Sequence, residues 1–295
     1  MSAVLAPYKV PKRHHPALAF VLHQPLGAFG LAVILVMLAA AAAANWIAPY
    51  DPLAVDYGAM LGAPSEAHWL GTDSYGRDVL SRIIHGARTA LAVGFLSSVA
   101  GSTVGALIGV ASAYFGGKTD LIVQRLMDVI LSFPIIVLAL AMAAILGKNI
   151  HWGIDFNLII AIATPMVPNV ARVVRASGLA IRELPYIDAA RTAGFSHARI
   201  ILRHIIPNVM APFLIMLTAF VGQAILLEAS LSFLGLGVAE PTPSWGLMLT
   251  GAAADFYQQA PWMIVFHGVA ISLAVFAFNL FGDSLRDWLD PKLKL

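Results

Sequence analysis

The chain has 295 residues, 59% of them hydrophobic and only 12% charged, with a formal net charge of +2 and no cysteine. Soluble domains carry about 25% charged residues, so this composition, with a mean hydropathy of +0.81, excludes an ordinary soluble protein. Disulfides and thiolate metal sites are excluded as well, and nothing in the charge balance indicates a nucleic-acid partner.

Uncharged runs occupy residues 26–47, 89–115, 129–147, 156–171, 205–227 and 256–282. A helix needs about 20 apolar residues to cross a bilayer, and five of the six runs meet or nearly meet that. The fourth is short, and Arg172 and Arg175 extend it by snorkelling to the headgroups. A β-barrel would need apolar and polar residues to alternate, which these runs do not do. The expected fold is therefore all-α, a polytopic membrane protein with six transmembrane helices. With the N-terminus inside, 14 of the 18 basic residues lie on the inner side, leaving Arg77, Arg82, Arg88 and Lys148 outside. By the positive-inside rule both termini are expected in the cytoplasm.

In chain order, residues 1–25 form a basic, proline-bearing N-terminal tail. Residues 26–48 hold the first transmembrane helix. Its alanine-rich end resembles a signal-peptide cleavage site, but a polar leader of about 25 residues is too long for a normal n-region, so an uncleaved span is expected. Residues 49–88 form an extracytoplasmic segment. Val79, Leu80, Ile83, Ile84 and Ala87 follow a helical period there, and Asp73/Arg77 and Asp78/Arg82 stand four apart with the acid first. Two readings fit: an amphipathic helix on the outer interface, or a solvated helix capping the bundle. Residues 89–282 form a five-helix core, and 283–295 a cytoplasmic C-terminal tail. Gly101, Gly105 and Gly109 in the second span let helix backbones approach closely. The fifth span ends at Glu228, after which Gly235, Gly237, Pro241 and Pro243 break any long helix. A carboxylate at that depth marks an extracytoplasmic gate or a structural hydrogen bond at a helix end.

Enzyme-like motifs fail on inspection. GGKT at 116–119 lacks the first glycine of a phosphate loop, since position 112 is serine, and it follows a membrane helix. GDSL at 282–285 is a serine-esterase signature, but no histidine follows Ser284 to activate it. The nine histidines have no ligand spacing. No catalytic residue, cofactor site or metal site is expected.

The segment 186–207, YIDAARTAGFSHARIILRHIIP, is charged and helix-forming between apolar spans. A helix running up to Gly194, a second basic helix from His197, and Pro207 in the first turn of the next span form a helix–glycine–helix handle lying flat under the membrane. Small Ala189 and Ala190 would admit another surface. An ordinary basic loop explains the arginines but not this spacing.

This segment resembles the "EAA" loop of ABC importer permeases: Asp188-Ala189-Ala190, three residues, Gly194, then an apolar stretch ending in Pro207, with Asp in place of the usual Glu. GTDSYGRDVLSR at 71–82, EASLSFLGLG with PTPSWG at 228–246, and FNLFGDSLRDWLDPKLK near the C-terminus are similar to the dipeptide/oligopeptide/nickel branch. The resemblance covers residues 20–295 and implies a type I importer permease in a bacterial inner membrane. It further implies a homologous permease partner, two cytoplasmic ATPases that grip the loop 176–207 and hydrolyse ATP, and an extracytoplasmic solute-binding protein. The cargo it implies is a peptide, with nickel or another small solute as the alternative. A secondary transporter would usually show repeated halves or mid-membrane charges, which this chain lacks.

Overall fold

The computed structural model describes residues 16–151 and 153–289. Most of the N-terminal tail and the end of the C-terminal tail, with Lys9, Lys12, Arg13, Lys292 and Lys294, lie outside them. The described residues begin with α1 (Pro16–His23), α2 (Pro25–Ala42) and a short α3 (Ala44–Ile47). An irregular stretch then leads to α4, Val79–Phe115. Asp78 caps α4, its carboxylate accepting the Ser81 N–H at 2.8 Å. Gly116, at φ +63°, ends it. These 37 residues form one helix, roughly 55 Å long at 1.5 Å per residue. Residues 79–88 are thus neither a separate interfacial helix nor a solvated cap. They are the first turns of the second span, and Val79, Ser81, Arg82 and Ala87 are buried.

Next come α5 (Gly117–Leu131) and α6 (Ile135–Leu146), bent by 91° at residues 132–134. Pro134 has no N–H to donate, and its ring disfavours α geometry at Phe133. The expected third span, 129–147, is therefore not a single helix. The 12 residues of α6 reach roughly 18 Å, short of a crossing without α5. A hairpin of β1 (Ile150–His151) and β2 (Ile154–Asp155) follows, then α7 (Phe156–Ala163), a 3-10 turn (Thr164–Met166) and α8 (Val167–Arg182). Arg175 lies 2.5 Å from Asp120 and Arg172 pairs with Asp128. These arginines tie the fourth span to α5.

The remaining elements are α9 (Pro185–Thr192), α10 (His197–Ile200), a π-turn (Ile201–Ile205), a 3-10 turn (Ile206–Val209), α11 (Met210–Phe233), a second 3-10 turn (Leu247–Leu249), α12 (Ala252–Asp255) and α13 (Pro261–Leu289). Pro207 cannot donate to the helical ladder, which accounts for the irregular turns before α11. Asn208 compensates in part, its amide donating to the His204 carbonyl at 2.6 Å. The run His197–Phe233 is nonetheless one continuous candidate span, so the second half of the insert runs directly into the fifth span. Among the described residues five helices can cross a bilayer, or six if the bent pair counts as one span.

Small residues set the packing. A Cβ on Gly101, Gly105 or Gly109 would stand 2.8, 2.6 or 2.4 Å from a carbonyl oxygen of Ala163, Val167 or Ala171. The glycine row of α4 is thus the seat of the fourth span. Gly30 of α2 approaches α13 in the same way, 2.6 Å from the Ala277 carbonyl. One core gathers Val110, Ile162, Val170, Ile187, Ile200 and Leu231, and a second Leu91, Ile225, Trp245 and Ala274.

The bundle has two dissimilar ends. At one, residues 49–78 and 234–260 fold together into a cap. Trp245 Nε1 donates to Ile83 O at 2.9 Å, Trp262 Nε1 to Thr72 O at 3.0 Å, and Thr89 Oγ1 to Pro243 O at 2.8 Å. At the other lie the insert and the outer ends of α1 and α13, where Phe20 meets Phe281 and Trp288 edge-on.

Candidate functional site

The insert is built from a helix stop. The Gly194 N–H bonds to Arg191 O at 3.0 Å and the Phe195 N–H to Ala190 O at 3.1 Å. This is a Schellman cap, which requires the left-handed φ of +76° that Gly194 adopts. Ser196 then caps α10, its hydroxyl accepting from the Arg199 N–H at 3.4 Å. Asp188 and Ala189 are exposed, and Asp188 pairs with Arg191 at 3.0 Å. Ala190 departs from expectation: it is buried in the core beside Ile187, so it anchors the handle and cannot receive a partner. Nothing lies within 4 Å of a Cβ placed on Gly194, which leaves that turn bare. Pro207 is exposed on the 3-10 turn below α11.

Tyr114, which sequence reasoning passed over, and His197, read there only as the start of a helix, join this insert to α4. The Tyr114 hydroxyl lies 2.7 Å from His197 Nδ1, and the Arg191 guanidinium stands 5.8 Å from the Tyr114 ring centre. Arg182 donates to Ala113 O at 2.9 Å. A tyrosine one residue before the end of an apolar run was the available signal. Asp120 and Asp128, counter-ions to arginines on another span, gave none that spacing could reveal.

At the capped end Glu228 is fully buried on α11, one turn before the helix stops and not at its end. Its Oε1 accepts from Ser232 Oγ at 2.8 Å and from Ser244 Oγ at 2.7 Å, so a single carboxylate ties the helix to the returning loop. Gly235, at φ +79°, repeats the cap geometry of Gly194, with Leu236 N–H on Leu231 O at 2.9 Å. Gly237 lies against Ser232, where a Cβ would come within 2.5 Å of the Ser232 nitrogen. These contacts bring Glu228, Gly235 and Gly237 together as one latch. The expected helical pair Asp73/Arg77 belongs instead to a turn: Asp73 accepts the backbone N–H groups of Tyr75 at 2.8 Å and Arg77 at 3.0 Å, and Arg77 Nε at 2.6 Å. Asp78 faces His68 and Ser81 rather than Arg82.

No group of His, Asp and Glu able to hold a metal ion occurs among the described residues. Known proteins match almost the whole chain. Residues 101–295 match the family model of the binding-protein-dependent transport system inner membrane component, and residues 21–64 the N-terminal TM domain of oligopeptide transport permease C. A putative peptide transport system permease protein of Brucella abortus is 42% identical over 266 residues, covering 90% of this chain and 88% of that protein. The dipeptide transport system permease protein DppC of Alkalihalophilus pseudofirmus is 44% identical, covering 79% and 75%. The glutathione transport system permease protein GsiD of Pectobacterium atrosepticum is 42% identical, covering 88% and 85%. Among solved structures, an inward-facing form of the MetNI methionine ABC transporter aligns with TM-score 0.53 at 18% identity, covering 71% of this chain and 96% of that one. The chain belongs to the family of binding-protein-dependent inner-membrane transport components, the permease subunits of ABC importers. It has the type I importer fold, and it is a multi-pass membrane protein whose family works with ATPase, permease and binding-protein partners.

Proposed function

We propose that this permease pairs with a homologous subunit to pass peptides, delivered by a solute-binding protein, across a bacterial inner membrane. Two ATPases drive it by gripping the insert, which acts as a coupling helix, with Asp188, Ala189 and Gly194 on the gripped surface and Ala190 and Pro207 holding it in place. The observation that carries this reading is the joining of the bare Gly194 turn to α4 through Tyr114 and His197, since α4 reaches the cap without a break. ATP can shift the bundle only through different affinity for its two states, and a handle packed into the core transmits that difference. The names of the relatives support peptide cargo. The capped end faces outward; the insert and both termini are cytoplasmic.

The native chain has no cysteine, so single replacements report orientation cleanly. In intact cells an impermeant thiol reagent labels Glu66→Cys on the cap, and labels Lys118→Cys beside the insert only after permeabilisation. The reverse pattern overturns the assignment.

The latch around Glu228 is the extracytoplasmic gate. Glu228→Ala frees both serine hydroxyls, and a buried unsatisfied group costs about 1–3 kcal/mol. Amide exchange across residues 235–246 accelerates about tenfold and uptake falls, while Glu228→Gln, which keeps a carbonyl acceptor, stays near the wild type. Equal exchange in all three proteins would remove the gate role.

A further inference from the structure

The helix α5 is an arm with a joint at each end. Gly116 and Gly117, which connect it to α4, both take positive φ, +63° and +54°, a conformation open to glycine and to few other residues. At the other end residues 132–134 carry the 91° bend into α6. Little apolar packing fixes the arm between them. Met127 is its one buried residue, while Leu121, Ile122, Leu126 and Val129 are exposed. What holds α5 is a polar stripe. Asp120, Gln124 and Asp128 recur every four residues and share a face, and each acid meets an arginine of α8.

The two attachments differ in kind. Arg175 grips Asp120 with two prongs, Nε on Oδ1 and Nη2 on Oδ2, the geometry that makes arginine–carboxylate pairs strong. The Ser112 hydroxyl donates to the same carboxylate, and Gln124 Nε2 donates to Ser112 Oγ at 3.1 Å. The Asp120 side chain is 17% exposed and that of Arg175 29%. Asp120 also lies in the first turn of α5, where the helix dipole favours an acid. Asp128 meets Arg172 through one oxygen only, and its other oxygen stands 3.7 Å from Arg125. These side chains are 41% and 49% exposed. Asp128 falls in the last turn, where the dipole disfavours an acid, and an ion pair so open to its surroundings contributes little.

We propose that α5 turns about the Asp120–Arg175 pair as a fixed pivot, and that the Arg172–Asp128 pair is a latch which opens during the transport cycle and lets the bend into α6 change. Only Glu183 and Leu184 separate α8 from the insert. The drive therefore rests on the reading of the insert as a coupling helix, whereas the pivot and the latch do not. From Asp120 to Asp128 the arm is roughly 12 Å long, so a swing of about 30° carries its free end about 6 Å.

The test uses the complete importer in nanodiscs, with spin labels on cysteine pairs in a chain that has no cysteine of its own. Between the nucleotide-free and vanadate-trapped states, the pair Val129→Cys with Val173→Cys changes its distance by roughly 6 Å. The pair Leu121→Cys with Val173→Cys, beside the pivot, holds its distance. Arg172→Gln populates the trapped-state distance several-fold more than the wild type before any nucleotide is added, and Asp128→Arg with Arg172→Asp restores the wild-type distribution. Unchanged distances in both label pairs overturn the proposal, because nothing swings. Equal changes in both overturn it too, because the arm then moves as a whole. Arg172→Gln matching the wild type, or a charge swap that restores nothing, removes the latch. The labelled wild-type complex carries the measurement if Arg172→Gln does not assemble. The two readings fail separately. Fixed label distances beside lost uptake in Gly194→Glu defeat this proposal alone, whereas unimpaired uptake in Gly194→Glu defeats the coupling reading and leaves the nucleotide-free latch test standing.

Discussion

With Gly194→Glu, the importer assembles in the membrane but its uptake drops by at least about tenfold, and loaded binding protein no longer couples ATP hydrolysis to transport. The fold tolerates the change because no atom lies within 4 Å of the new Cβ. The backbone at φ +76° costs a non-glycine residue roughly 1–2 kcal/mol, too little to unfold a helical bundle. What changes is the bare surface of the turn, which acquires a side chain and a negative charge where the ATPase must approach. Uptake and stimulated ATPase activity, measured together in proteoliposomes, decide it: unimpaired uptake removes the insert from the coupling path.

A second replacement acts on the bundle itself. Gly109→Ala puts a methyl group 2.4 Å from the Ala171 carbonyl oxygen, where backbone and not a flexible side chain must yield. Overpacking costs about 1–3 kcal/mol, so the melting midpoint of the purified complex falls by several degrees, and Gly109→Leu leaves no folded permease to purify. Gly268→Ala is the control, because a Cβ on Gly268 has open space around it. If the two alanine variants melt together, α4 and α8 do not pack as described.

The spans were legible because apolar length is a direct requirement of the bilayer, and the helix–glycine–helix form of the insert because its glycine stands between two helical stretches. Composition could not reveal the bend between α5 and α6. Residues 129–147 are uncharged throughout, and only Pro134 marked a break that hydropathy ignores. The acid-before-base spacing of Asp73 and Arg77 was misleading for a related reason. Four residues bring two charges together on a helix, and they do so equally well in a turn whose carboxylate folds back on its own amides. The pairing of Arg175 with Asp120, and the burial of Ala190, depend on which spans are neighbours. Local pattern carries no record of that.

The long helix from Val79 to Phe115 has mechanical meaning. With Arg82 at one extremity and Tyr114 at the other, an unbroken rod of roughly 55 Å turns a 10° swing into a displacement of about 10 Å. The neighbouring path through His197–Phe233 instead contains a π-turn and a 3-10 turn, geometries associated with hinges. Under the proposed coupling, a stiff lever beside a compliant one turns a push on the insert into relative twist between these two spans.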